Sequence, residues 1–153
     1  VYYIRNMYLE NRLRDPGALT MCGAAVDLGR LDMPAYLLAT REDHIVPWRT
    51  AHASTRLLSG PTEFVLGASG HIAGVINPAA KNRRNYWCNP AREPDPEKWL
   101  AQATSLPGSW WPHWSAWLAR HAGTRVAARA VPAAGRYARI EPAPGRYVRE
   151  KCG

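Results

Sequence analysis

Apolar and polar positions along this chain fall into short blocks, and the most ordered sequence of blocks runs from Tyr36 to Asn77. An apolar run, Tyr36-Leu37-Leu38-Ala39-Thr40, predicts a strand, and the polar stretch Arg41 to Pro47 a loop. A mixed segment, Trp48 to Leu58, places Ala51, Ser54 or Thr55, and Leu58 on one face and predicts a helix, with Pro47 in its first turn. A second apolar run, Glu63-Phe64-Val65-Leu66, predicts another strand, which delivers Gly67-Ala68-Ser69-Gly70-His71 to a glycine-rich turn. Upstream, Tyr2 to Leu13 sets Ile4, Met7 or Tyr8, and Leu9 near one face, a short amphipathic helix closed by Asp15-Pro16-Gly17. Downstream, Pro90, Pro94 and Pro96 mark an extended connection before a helix over 97–104. Trp110, Trp111, Trp114, Trp117 and Leu118 then recur at helical spacing, which favours core packing over a polymer-binding strip.

Composition narrows the class. With 153 residues and 46% hydrophobic content, the chain is long enough for one domain with a real core. No run of eighteen apolar residues and no basic-then-apolar leader is visible, so neither a membrane span nor a signal peptide is expected. The chain begins at Val1 inside a helical pattern, which suggests part of a longer polypeptide. Three widely spaced cysteines, Cys22, Cys88 and Cys152, form no CxxC pattern, so a reducing cytoplasm fits and no metal site is expected. Cys22, with Thr20 and Ala24 where a nucleophile elbow needs glycines, reads as a small buried thiol. The net charge of +8 is unevenly placed: residues 1–123 carry 13 Lys+Arg against 10 Asp+Glu, and residues 124–153 carry 7 against 2. The chain therefore divides into a main domain, 1–123, and a basic tail, 124–153, with a rough repeat in Gly135-Arg136-Tyr137-Ala138-Arg139 and Gly145-Arg146-Tyr147-Val148-Arg149. The second basic cluster, Lys81-Asn82-Arg83-Arg84-Asn85, reads as a solvated loop more readily than as a phosphate contact.

The candidate chemistry lies at the two strand ends. In open α/β sheets reactive groups gather beyond the carboxyl ends of strands, so Asp43 after the first and His71 after the second can meet there. An Asp in such a loop is more often a cap or turn former, and a lone His more often structural. Together they gain meaning, because an aspartate can hold an imidazole in one tautomer while its other nitrogen takes a proton from a nucleophile. Gly67, Gly70 and Gly74 give the chain room to turn around His71. His44 reads as a loop histidine and His52 as a helix-surface one. The order Asp then His, 28 residues apart, is the back half of a nucleophile–acid–base series. No G-x-S-x-G or G-x-C-x-G is present, so the nucleophile is expected upstream of Val1.

Several segments carry a family resemblance: Tyr8-Leu9-Glu10-Asn11, Cys22-Gly23 with Val26-Asp27-Leu28, Arg41-Glu42-Asp43-His44-Ile45-Val46-Pro47-Trp48, Phe64 through Pro78, Gly108-Ser109-Trp110-Trp111-Pro112, and Glu141 through Val148. Together they resemble the C-terminal part of a class I polyhydroxyalkanoate synthase. The resemblance implies an α/β fold, the C-terminal portion of an α/β-hydrolase-like domain, incomplete without upstream residues. It implies a cysteine-dependent acyltransferase that polymerises (R)-3-hydroxyacyl-CoA into polyester and releases CoA, with Asp43 and His71 as its catalytic acid and base. The substrate is a CoA thioester and no cofactor is called for. Further implications are a growing polyester chain as partner, a homodimer in the full-length enzyme, and cytoplasmic location at the polyester granule. By itself this stretch is expected to be inactive and poorly stable. Two other readings stay open: the corresponding part of a thioesterase or depolymerase, and a non-enzymatic basic module. Against nucleic-acid binding, the tail lacks stacking aromatics apart from Tyr137 and Tyr147.

Overall fold

The structure, a computed structural model, describes residues 1–151; Cys152 lies outside the described residues. The chain groups into two compact units, Val1–His121 and Ala122–Gly153.

The first unit holds a short antiparallel pair, β1 (Thr20–Met21) and β2 (Ala24–Ala25), and a four-stranded sheet. That sheet consists of β3 (Ala35–Thr40), β4 (Thr62–Gly67), β5 (Asn85–Cys88) and β6 (Thr104–Pro107), in that spatial order. The β3–β4 pair is parallel, with Ala39 opposite Leu66 and Thr40 opposite Gly67. The β4–β5 and β5–β6 pairs are antiparallel. Three helices accompany the sheet: α1 (Trp48–Ala53), α2 (Pro96–Gln102) and α3 (Trp111–Ala119). The architecture is therefore mixed α/β.

Side-chain alternation along the strands divides the packing between two faces. Ala39 on β3 and Phe64 and Leu66 on β4 point towards α1 and α2, where Trp48 and Trp99 complete a buried cluster. On the opposite face Tyr36 packs against Trp110 and Trp117 of the α3 region. Crossing from β3 to β4 through α1 is what makes the two strands parallel, and so carries both of their ends to one side of the sheet.

Several local expectations change. His52 is not on the helix surface; only 2% of it is exposed, because Trp48 and His52, four residues apart, share the inner face of α1. Its ring stands edge-on to Phe64 at 4.9 Å between centroids. Cys22 is exposed, not buried. Cys22 and Gly23 both have positive φ, 49° and 80°, which suits the tight turn between β1 and β2. The N-terminal segment forms a single wide helical turn, Ile4–Leu9, that buries Asn6 and leaves Ile4, Tyr8 and Leu9 exposed. Strands β5 and β6, of which the sequence assigns only Asn85, to a loop, and Thr104, to a helix end, complete the sheet. Helix α2 stops at Gln102, and Asp95 caps its start by accepting from the Glu97 and Lys98 amides at 2.8 and 3.2 Å. The tryptophan repeat is only partly core: Trp110 is buried, whereas Trp114 and Leu118 remain exposed.

Within the second unit the described residues form no strand. A short 3-10 turn, Tyr147–Arg149, and a loop held by Glu141, which accepts from the Arg146 amide at 3.0 Å, are its local structure.

Candidate active site

The parallel pairing of β3 and β4 continues past their last residues. The Arg41 amide donates to the Gly67 carbonyl at 2.8 Å, and the Glu42 amide to the Ser69 carbonyl at 3.0 Å. These bonds stitch the loop after β3 to the loop after β4. Asp43 then turns back, its amide donating to the Thr40 carbonyl at 3.2 Å. Its Oδ1 accepts from the amides of Ile45 and Val46 at 2.8 and 3.0 Å, which fixes the carboxylate. His71 Nδ1 faces that oxygen at 3.8 Å, longer than a hydrogen bond but within ion-pair range. Nδ1 is shut off from solvent and has no hydrogen-bond partner, while 33% of the side chain stays exposed. The accessible part of the ring therefore lies away from Nδ1. His44 is exposed, and its ring stands edge-on to that of His71 at 5.0 Å.

Electrostatics suit the pair. The Val46 amide holds the Asp43 carboxyl below its usual range, with help from the Ile45 amide and the nearby His71 and His44, against partial desolvation. An ionised carboxylate beside Nδ1 favours a proton there and stabilises an imidazolium. The other ring nitrogen, Nε2, can then take and return protons.

The loop after β4 reaches this position by a different route from the one its glycines suggest. The positive φ belongs to Ser69, at 72°, and not to Gly67, Gly70 or Gly74. Gly74 is needed for close approach: a Cβ there would lie 2.5 Å from the Ala68 carbonyl oxygen and 2.8 Å from that of Gly70. The turn closes through the Gly74 amide, which donates to the Gly70 carbonyl at 2.8 Å.

A second polar cluster, not anticipated from sequence, lies by the beginnings of β3 and β4. Tyr36 Oη meets His113 Nδ1 at 3.0 Å, His113 Nε2 meets Glu63 at 3.2 Å, and Arg120 donates to Glu63 at 3.0 Å. Glu63, Cys88, His113 and Arg120 also line a cavity of about 620 Å³, together with Pro34, Pro61 and Trp117. This cavity is a poorer candidate for chemistry than the Asp43–His71 pair. Both ring nitrogens of His113 are engaged, and burial pushes the Cys88 thiol up to about 11, so the thiol stays protonated at neutral pH. Burial likewise raises Tyr36 above the usual phenol range. Among the described residues no group of three or more His, Cys, Asp or Glu is arranged to hold a metal ion.

Fold and site together describe an α/β protein with an Asp–His pair on loops leaving two adjacent parallel strands. No family model matches the chain. It is 57% identical over 150 residues to the poly(3-hydroxyalkanoate) polymerase subunit PhaC of Cupriavidus necator, covering 98% of this chain and 26% of that protein. Over 128 residues it is 45% identical to the subunit of the same name from Rhizobium etli, covering 84% of this chain and 20% of that protein. A weaker match, 30% over 69 residues, is to a putative carbamate hydrolase, RutD, of Pseudomonas syringae, covering 45% of this chain and 27% of that protein. By sequence the chain belongs to the poly(3-hydroxyalkanoate) polymerase family, and it spans about a quarter of the length of the curated relatives it matches.

Proposed function

We propose that this chain is the acid–base portion of a class I polyester synthase with an α/β-hydrolase-like catalytic domain. The enzyme joins (R)-3-hydroxyacyl units from CoA thioesters into a polyhydroxyalkanoate and releases CoA. The observation that carries this reading is the Asp43 carboxylate facing the buried His71 Nδ1 at 3.8 Å, with a third of the His71 side chain exposed. Support for the polyester comes from the names of the polymerases that the chain resembles over nearly its whole length.

A cysteine elsewhere in the longer polypeptide is the nucleophile; Cys88 is held protonated by its surroundings and lies by His113. His71 Nε2 takes the thiol proton, the thiolate attacks the thioester carbonyl, and the proton returns to the CoA sulfur as it leaves. His71 then takes the proton of a 3-hydroxyl, whose oxygen attacks the acyl-cysteine, forms the ester and frees the thiolate. Asp43 stabilises the imidazolium in both halves. Subunit pairing, cytoplasmic location and attachment to polyester granules belong to the same reading. No helix among the described residues is long and apolar enough to cross a membrane.

The test is CoA release from 3-hydroxybutyryl-CoA by the full-length polypeptide. Asp43→Asn and His71→Gln should each lower turnover by about 10³- to 10⁴-fold without loss of folding. Full turnover in either variant overturns the roles assigned here. Release of free 3-hydroxybutyrate with no polymer would instead favour a hydrolase, the class named for the weaker relative.

A further inference from the structure

The turn that carries His71 is held from outside by the three residues that lead into α3. Trp110 Nε1 donates to the carbonyls of Gly74 and Val75 at 3.1 and 3.2 Å, and Trp111 Nε1 donates to the Val75 carbonyl at 2.9 Å. Ser109 Oγ donates to the Asn77 carbonyl, and the Trp111 amide in turn donates to Ser109 Oγ at 3.1 Å. Asn77, itself buried, passes the hold onwards by donating to the Arg83 carbonyl at 2.8 Å. Three consecutive side chains thus grip three carbonyls, at positions 74, 75 and 77. Of the three, the Val75 carbonyl also accepts from the Asn77 amide at 3.0 Å.

This arrangement is not what packing alone requires. Buried indole N–H groups need partners, but those partners need not be successive carbonyls of one short turn. The opposite side of the turn is already fixed, because the Glu42 amide bonds Ser69 and a Cβ at Gly74 would press on the Ala68 carbonyl. The turn is therefore held between the end of β3 and the entry to α3. Sliding it along its own axis would change the His71–Asp43 separation, and the indole bonds resist that movement.

We propose that Ser109, Trp110 and Trp111 are positioning residues for His71, setting the separation of its Nδ1 from the Asp43 carboxylate. The proposal rests on the reading of Asp43 and His71 as an acid–base pair. None of the three touches the reacting atoms; they act through the backbone of 74–77.

Trp111→Phe keeps an apolar ring and removes the donor, and Ser109→Ala removes the hydroxyl with little change in volume. Trp114→Phe, at an exposed site on the same helix, is the control. In the full-length polypeptide carrying ¹⁵N-labelled histidine, Trp111→Phe and Ser109→Ala should shift the His71 ring resonances and the pH midpoint of their titration. They should lower kcat for CoA release about 10- to 100-fold with KM little changed. Trp114→Phe should do neither. Unmoved His71 resonances and an unchanged pH–rate profile in both donor-less variants overturn the proposal, whether or not stability falls. If Asp43→Asn and His71→Gln keep full turnover while the donor-less variants still move the His71 resonances, the acid–base reading fails and the clamp survives.

Discussion

At the scale of single residues, the site depends on a few atoms that have no room to move. Gly74 is the plainest: a methyl group there meets two carbonyl oxygens and the Thr40 methyl at 2.5 to 2.8 Å. Gly74→Ala is expected to lower stability by about 1–3 kcal/mol and turnover by about 10²-fold, through displacement of His71. At Gly70 the nearest atom to an added Cβ is the Glu42 oxygen at 3.6 Å, an ordinary contact, so Gly70→Ala should be close to neutral. Urea unfolding and initial rates on the two variants check the contrast. Sequence marked both glycines as equivalent turn formers. What separates them is the approach of a neighbouring loop, which no local pattern records. Asp43 and His71 were legible because they follow two apolar runs, and strand ends are where such groups collect. The Ser109–Trp111 grip was not, since indole donors read from sequence only as bulk.

Helix α1 shows the same limit one level up. The spacing of its apolar residues identified a helix and set Ala51 on the inner face, where it packs against the core, but passed over Trp48 and His52, which bury deeper on that face. A histidine among Trp48, Phe64 and Trp99 does not count as apolar in a pattern, yet its neutral ring packs like one. Burial lowers the His52 pKa below the ordinary 6.5, and Arg56 adds to the effect. The unfolded chain then binds a proton more readily than the folded one, so the contribution to stability is full above about 6.5 and is lost as the pH falls towards the folded value. Urea midpoints should therefore drop between pH 7.5 and 5.5. His52→Leu should flatten that slope, and an unchanged slope would show that other groups cause it. Strands β5 and β6 escaped the pattern for another reason. Each is four residues long, and Asn85 and Thr104 carry no apolar signal.

For the whole molecule, the decisive fact is that the main sheet closes on neither side. Along β3 one row of backbone groups lacks a strand partner among the described residues. Ile45, Val46, Ile72 and Ile76 stand exposed on the loops and turn around Asp43 and His71. Isolated residues 1–153 should therefore self-associate at micromolar concentrations. Sedimentation that finds only monomer, together with a cooperative thermal transition, would contradict this. The α/β class was readable from the alternation of strand, helix and strand; the antiparallel half of the sheet was not. That half has a further consequence. Strands β3 and β4 run the same way and β5 runs against them, so the compass of the sheet reverses at β5. Past that reversal, the neighbour beside His71 is where a strand begins, not where one ends. Strand β6 swings back to the heading of β3 and β4, so its tip at Pro107 lies on the His71 side of the sheet. The stretch that leaves it is the one that reaches over β5 to hold the carbonyls of Gly74 and Val75.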